Sequence, residues 1–261
     1  MLLVPVLPVA AQLPETREEI ATGRAGVTQP FYLVRPAGPP VASLILFPGG
    51  EGVVGFTGAP PFPRGGNFLV RNRQRFAEHG FLVAVVDVPS DLAAGYGHFR
   101  IAAEHARDIG AVAAALRRHA DVPVWAVGTS RGTVSAANAA WRLGGAGIDG
   151  LVLSSTVSRR PNHTPLSVWE GGLTRVTVPT LVVAHESDAC ESTPPGDARG
   201  LAAAVKAART GVLFFTGGAS GGTRTLSCGA FVAHGFGGLD EDVVQAIAAW
   251  IKATPAPGPR D

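Results

Sequence analysis

The chain has 261 residues, of which 46% are hydrophobic and 16% charged, and its formal net charge is +2. This composition excludes a disordered chain and is typical of one compact globule with a full hydrophobic core. The basic residues are scattered along the sequence, so nothing predicts a nucleic-acid partner.

Residues 1–12 are a short apolar run, MLLVPVLPVAAQ, with small residues near positions 9–11. The run is similar to a secretory signal segment, although it lacks the basic start and its prolines exclude a membrane span. We therefore expect a signal-like or disordered tail and a periplasmic or secreted protein; a cytoplasmic protein is the alternative. Residues 13–254 are predicted to form a single domain, and residues 255–261 a disordered tail.

Strand-like and helix-like segments alternate through the predicted domain. Apolar runs predict strands at residues 31–35, 43–47, 81–88, 122–127, 150–154, 180–184 and 212–215, with the first at an edge of the sheet. Helical patterns are found at residues 67–79, 99–119, 133–141, 197–209 and 240–252. This alternation predicts an α/β fold with a mostly parallel, twisted sheet, helices on both faces and a small cap or none.

Ser130 is the candidate nucleophile, because it lies in Gly128-Thr129-Ser130-Arg131-Gly132 between a predicted strand and a predicted helix. A G-x-S-x-G motif in that setting is typical of a nucleophile elbow, in which a tight turn exposes the hydroxyl at a helix N-terminus. A second match, at residues 218–222, has no helical pattern after it and is interpreted as a loop.

An oxyanion hole needs two backbone N–H groups close to the serine. One is expected from Arg131 and the other from the loop Pro48-Gly49-Gly50 after the second predicted strand. Gly50 is the first choice and Glu51 the second. A plain glycine turn is the alternative interpretation of this loop.

The excursion at residues 158–175 is expected to form a small cap or one wall of the substrate pocket. Trp169 is its candidate substrate contact, with core packing as the alternative. Glu51 is the other candidate substrate contact. His163 lies in the same excursion, where an exposed surface position is the alternative to a substrate contact.

The partners of a nucleophilic serine are a histidine base and an acid that orients it, and in such sheets they follow in the order Ser, Asp or Glu, His. Asp188 lies a few residues past the strand at 180–184, and Glu186 and Glu191 are alternatives. His234 is the histidine between the last strand and the last helix, and glycines follow it. His105 is expected to form a structural pair with Asp108.

The two cysteines of the chain, Cys190 and Cys228, lie near the candidate acid and base. In an exported protein a disulfide between them would join the two loops. A zinc site formed with His185 and His234 is the alternative, although no closely spaced ligand pair supports it. We expect neither a metal nor a cofactor.

The elbow, the Pro-Gly-Gly loop, the acid after a strand and the late His-Gly together resemble the α/β-hydrolase superfamily over residues 31–252. Within it, the chain is most similar to bacterial serine esterases of the dienelactone-hydrolase-like and polyesterase-like groups. It differs from typical lipases, whose oxyanion loops begin His-Gly, and from dienelactone hydrolases proper, whose nucleophile is cysteine.

The resemblance implies a serine hydrolase that cleaves small or accessible polymeric carboxylic esters through an acyl-enzyme. An amidase or peptidase with the same three residues, or a catalytically silent binding protein of this fold, are the alternatives.

Overall fold

The computed structural model describes residues 12–55, 62–161, 164–219 and 227–255. These residues form an eight-stranded sheet in the order β1-β2-β4-β3-β5-β6-β7-β8. The strands are β1 Glu15–Ala21, β2 Thr28–Val34, β3 Ala42–Phe47, β4 Phe81–Val86, β5 Val124–Thr129, β6 Gly150–Ser154, β7 Thr180–His185 and β8 Thr210–Phe215.

The last six strands in this order are mutually parallel, and β2 runs antiparallel to both β1 and β4. Every residue of β3, β4, β5, β6 and β7 is buried, because helices cover both faces of the parallel part. Such strands need apolar residues in succession rather than in alternation, and this is the pattern in the sequence. The predicted fold class is confirmed.

In the described part of the chain, six α-helices flank the sheet. They are α1 Phe68–Arg71, α2 Arg73–Glu78, α3 Ala103–His119, α4 Gly132–Leu143, α5 Ala198–Ala204 and α6 Asp240–Lys252. The apolar sides of α3, α4 and α5 pack in one core on one face of the sheet. Those of α1, α2 and α6 pack in a second core on the other face. No helix in the described residues is both long and apolar enough to cross a bilayer.

Three sequence-based expectations differ from the structure. The strand predicted at the edge is covered by β1, whose charged, half-exposed sequence ETREEIA carries no apolar run. The helix predicted at residues 67–79 is two short helices, because Asn72 ends α1 and turns its amide back to the Phe68 carbonyl at 2.9 Å. The helix predicted at residues 197–209 stops at Ala204, where Val205 adopts an extended backbone.

The parallel strands place their carboxyl ends along one edge of the sheet. The loops after β3, β5, β6, β7 and β8 therefore begin at this edge. The candidate catalytic residues all lie in these loops, so the fold places them where a site can form.

Candidate active site

Ser130 connects β5 to α4 and adopts a left-handed backbone with a φ of 51°. This conformation is unusual for a residue with a side chain and persists only where neighbouring contacts enforce it. The flanking glycines make the turn possible. A Cβ on Gly132 would lie 2.0 Å from the Phe47 carbonyl oxygen, and one on Gly128 would lie 2.7 Å from that of Gly132. Side chains at these two positions are therefore excluded.

The loop after β3 approaches the serine closely. A Cβ on Gly49 would lie 3.0 Å from the Cβ of Ser130. Gly50 follows with a φ of 62°, a conformation that suits glycine. The next side chain, Glu51, forms an ion pair with Arg131, so the loop and the elbow are joined on both sides of the serine.

Arg100 supports this loop from inside the protein. Its guanidinium donates to the Gly50 carbonyl at 2.9 Å and to the Ser135 hydroxyl at 2.8 Å. Burial lowers the pKa of Arg100 to about 10, so the side chain remains charged at neutral pH. The charge-assisted bond to the Gly50 carbonyl holds the peptide group between Gly50 and Glu51, which carries the Glu51 N–H, in one orientation.

Asp188 lies three residues past the end of β7 and is buried. Its Oδ1 accepts a hydrogen bond from the Cys190 N–H at 2.9 Å, and its Oδ2 accepts one from the Thr193 hydroxyl at 2.8 Å. These bonds aim the carboxylate, because each oxygen has a fixed donor.

His234 lies in a short helical turn, Ala233–Gly235, between β8 and α6. Its Nδ1 is 3.0 Å from Oδ2 of Asp188 and 3.1 Å from the Thr193 hydroxyl. The backbone of His234 is held as well, because the Ser155 hydroxyl donates to its carbonyl at 2.6 Å. Ser155 follows β6 and has a φ of 42°, a second strained serine beside the site.

Ser130 and His234 line the same shallow cavity of about 70 Å³, which is open to solvent. Gly49, Gly50, Phe68, Cys228 and Ala230 are also in its wall. The structure thus brings the serine, the glycine loop and the hydrogen-bonded Asp–His pair to one place at the carboxyl edge of the sheet.

The disulfide Cys190–Cys228 joins the loop that holds Asp188 to the loop that holds His234. The bond uses both sulfurs, so the alternative zinc site is wrong. The ring of His185 is also occupied: Nδ1 accepts from the Ser187 N–H, and Nε2 lies 3.0 Å from the Gly217 carbonyl. Within the described residues, no group of three or more His, Cys, Asp or Glu is arranged to hold a metal ion.

The two candidate substrate contacts lie in different surroundings. Glu51 is about half exposed beside Arg131. The Trp169 indole N–H donates to the Ser158 carbonyl at 3.0 Å, and the residue is 41% exposed. Leu166 of the same excursion lies with Glu51 and Arg131 around a small adjoining pocket. His163 and most of the second G-x-S-x-G match lie outside the described residues.

His105 and Asp108 do not form the expected pair. Asp108 bonds to Arg24 at 2.7 Å, whereas His105 is fully buried against the rings of Phe47, Tyr96 and Phe99. Burial lowers the pKa of His105 to about 3, because the charged imidazolium loses its hydration there. The expectation failed because spacing along a helix does not show which side chain from another element reaches the carboxylate first.

Sequence reasoning missed Thr193 and Ser155, which hold the Asp–His pair, and Arg71, which holds the loop of His234. The Arg71 guanidinium donates to the Ala230 carbonyl at 2.9 Å and to the Gly235 carbonyl at 2.6 Å, and it pairs with Asp240. A serine directly after a buried strand is a weak signal for Ser155. Nothing local in the sequence marks Thr193 or Arg71, because their partners are distant along the chain.

No family model and no curated protein sequence matches the chain. Among solved structures, it is similar to an α/β serine hydrolase homologue from Coxiella burnetii, with 15% identity, a TM-score of 0.59, and 90% of this chain and 97% of the other covered. An α/β serine hydrolase without a lid from Xanthomonas campestris gives 15% identity, a TM-score of 0.59 and coverage of 94% and 100%.

A thermostable carboxylesterase cloned from a metagenomic library is also similar, with 17% identity, a TM-score of 0.58 and coverage of 94% and 91%. At such low identities these similarities establish the fold. The chain has the α/β-hydrolase fold, as the resemblance in its sequence implies.

Proposed function

We propose that the protein is a cofactor-independent serine hydrolase that cleaves carboxylic esters through an acyl-enzyme. The observation that carries the proposal is the 3.0 Å contact between His234 and Asp188 at the cavity that Ser130 lines. A serine hydroxyl is a poor nucleophile until a base removes its proton, and the base needs a partner that fixes its tautomer.

In the proposed reaction, Nδ1–H of His234 donates to Asp188, which leaves Nε2 as the base. Nε2 takes the proton of Ser130 as Oγ attacks the ester carbonyl, and a tetrahedral oxyanion forms. The oxyanion then collapses, the carbon–alkoxy bond breaks, and the imidazolium gives its proton to the leaving alcohol. Water repeats the sequence on the acyl-enzyme and releases the acid.

The N–H groups of Gly50 and Arg131 are the proposed donors to the oxyanion, with Glu51 as the second choice for the first of them. Support comes from the loop geometry, because Arg100 and the Glu51–Arg131 ion pair hold both segments. Donors fixed before the reaction need no reorganisation when the charge develops.

Because the cavity is open, the proposed substrates are small esters or accessible ester groups of a polymer. Trp169 and Glu51 are proposed to contact the parts of the substrate beyond the reacting carbonyl. Several proteins of similar structure are described as esterases. The disulfide is compatible with the proposed periplasmic or secreted location.

A fluorophosphonate probe tests the nucleophile. The wild-type protein should be labelled, and Ser130→Ala should lose the label together with about 10⁴-fold or more in kcat. Ser220→Ala, in the second G-x-S-x-G match, is the matched control and should keep both. A folded wild-type protein that resists the probe would instead be a silent binding protein, and a label that survives in Ser130→Ala would place the nucleophile elsewhere.

Substrate class is tested with p-nitrophenyl esters against aminoacyl anilides. Hydrolysis of the esters with little of the anilides supports the esterase, and the reverse supports the amidase or peptidase. His234→Ala should lower ester turnover about as much as Ser130→Ala, since the two residues act as a unit. Full activity in His234→Ala would redirect the search to His163 or His185.

A further inference from the structure

Phe231 is the most exposed large apolar side chain in the described part of the chain, at 63%. Among the same described residues, Val41 at 51% and Trp169 at 41% are the other exposed large apolar side chains. A single exposed apolar residue is common and by itself indicates nothing. The place and the support of Phe231 are what distinguish it.

Phe231 lies at the rim of the candidate active site. Its neighbour Ala230 and the nearby His234 both line the cavity. Its ring packs against Gly66, where an added Cβ would lie only 3.0 Å from the ring. Gly66 directly precedes Asn67, another residue of the cavity wall. The ring therefore lies between two segments that both lead into the cavity.

Arg71 holds the ring from below. Its guanidinium carbon is 5.0 Å from the centroid of the Phe231 ring and 5.4 Å from that of Phe68, which lines the cavity. The same guanidinium donates to the carbonyls of Gly66 and Ala230 at 2.8 and 2.9 Å. Phe68, Arg71 and Phe231 thus form a stack that continues from the cavity wall to the surface.

An exposed ring that is held in place favours binding, because little conformational entropy is lost when an apolar ligand covers it. The cavity is shallow and open, at about 70 Å³, so only the groups next to the reacting ester fit inside it. Any longer apolar part of a substrate must leave the cavity across its rim.

We propose that Phe231 is an outer subsite for the apolar part of the substrate, a long alkyl or aromatic group attached to the reacting ester. This inference rests on the proposed function and adds a substrate class to it: esters whose apolar group extends beyond the cavity. Short esters such as acetates do not reach the ring.

The test compares kcat/KM for p-nitrophenyl octanoate and p-nitrophenyl acetate. In Phe231→Ala the octanoate-to-acetate ratio should fall roughly tenfold, the factor expected when about 50–60 Å² of apolar contact is lost. Phe231→Trp should keep or raise the ratio. Gly66→Ala, which pushes the ring from its place, should lower the ratio by a smaller factor. Octyl acetate against ethyl acetate tests the alcohol side in the same way.

Val41→Ala is the matched control, because Val41 is also exposed but precedes β3 at the opposite end of the strand. It should leave the ratio unchanged. If Phe231→Ala lowers octanoate and acetate turnover equally, the ring only supports the His234 loop and the subsite is refuted. An unchanged ratio in both series refutes it as well. A wild-type protein that hydrolyses none of these esters overturns the proposed function, and the subsite with it.

Discussion

The nucleophile half and the acid–base half of the candidate site are held in different ways. The carbonyl of Ser130 accepts from the N–H and the hydroxyl of Thr133, three residues away, and its turn is set by two flanking glycines. His234, by contrast, depends on Asp188 and Ser155, which are 46 and 79 residues away. The turn of the first half is bonded within three residues and packs against the end of β3, whereas the second half is assembled from irregular loops that are distant along the chain. Residues of the acid–base half should therefore shift more readily, and at a smaller cost in stability, when their contacts are removed.

A glycine in each half offers the most severe test of this difference. Gly132→Ala would place a Cβ 2.0 Å from the Phe47 carbonyl at the end of central β3, and Gly235→Ala would place one 1.9 Å from the Ala230 carbonyl in an irregular loop. Both variants should lose about 100-fold or more in kcat/KM through misplacement of reacting groups. The free energy of unfolding should fall by about 3 kcal/mol in Gly132→Ala and about 1 kcal/mol in Gly235→Ala, because a loop relaxes more readily than a buried strand. Urea denaturation measures both, and equal losses would mean that the halves are equally rigid.

Arg71 tests the acid–base half without a change in the elbow. Arg71→Ala removes the donors to the Ala230 and Gly235 carbonyls, and kcat should fall roughly tenfold, with a smaller change in KM, as His234 loses its alignment. Arg75→Ala is the control, because Arg75 is one turn away and forms an exposed ion pair with Glu241 at 3.4 Å. Its kcat should stay within about twofold of wild type. Equal effects in the two variants would show that the Arg71 hydrogen bonds do not position His234.

Reduction of Cys190–Cys228 should weaken the same half without a substitution. The bond closes a loop with a sequence separation of 38, which stabilises the fold by about 4 kcal/mol in the chain-entropy model. Reductant should lower the Tm by about 10 °C. It should also slow ester hydrolysis several-fold, since the Cys190 N–H positions Asp188. The double variant Cys190→Ala, Cys228→Ala should show no response to reductant; a response there, or none in the wild type, would contradict the interpretation.

His105 provides the mildest test, on the nucleophile side. Its pKa is lowered to about 3 by burial, so between that value and about 6.5 the unfolded chain binds a proton that the folded protein does not. Stability attributable to this residue is complete above pH 6.5 and falls by about 1.4 kcal/mol for each pH unit below it. The urea midpoint should therefore fall less between pH 7.5 and pH 4.5 in His105→Leu than in the wild type. An equal fall in both proteins would mean that other groups cause the loss of stability in acid.

Residue types and local order were enough to predict much of the site. The elbow around Ser130 needs glycine at positions 128 and 132, where a side chain would meet the backbone, and the sequence has glycine at both. The apolar runs at β3, β5 and β7 indicated strands buried on both faces, and their loops carried the candidate residues. Strand β1, the break at Asn72 and the early end of α5 were missed, because each depends on neighbours that periodicity does not encode.

The sequence by itself therefore determined an α/β fold, a strained serine turn, and an acid and a histidine that follow later strands. It did so through local sterics and through the alternation of apolar segments. Only the tertiary structure decided that Thr193 bonds to the Asp–His pair, that Ser155 and Arg71 hold the histidine loop, and that Arg24 rather than His105 pairs with Asp108. The physical reason is distance along the chain. The glycines that permit a tight turn can be recognised from adjacent residues, whereas a hydrogen bond across the sheet exists only after the strands have brought its two partners together.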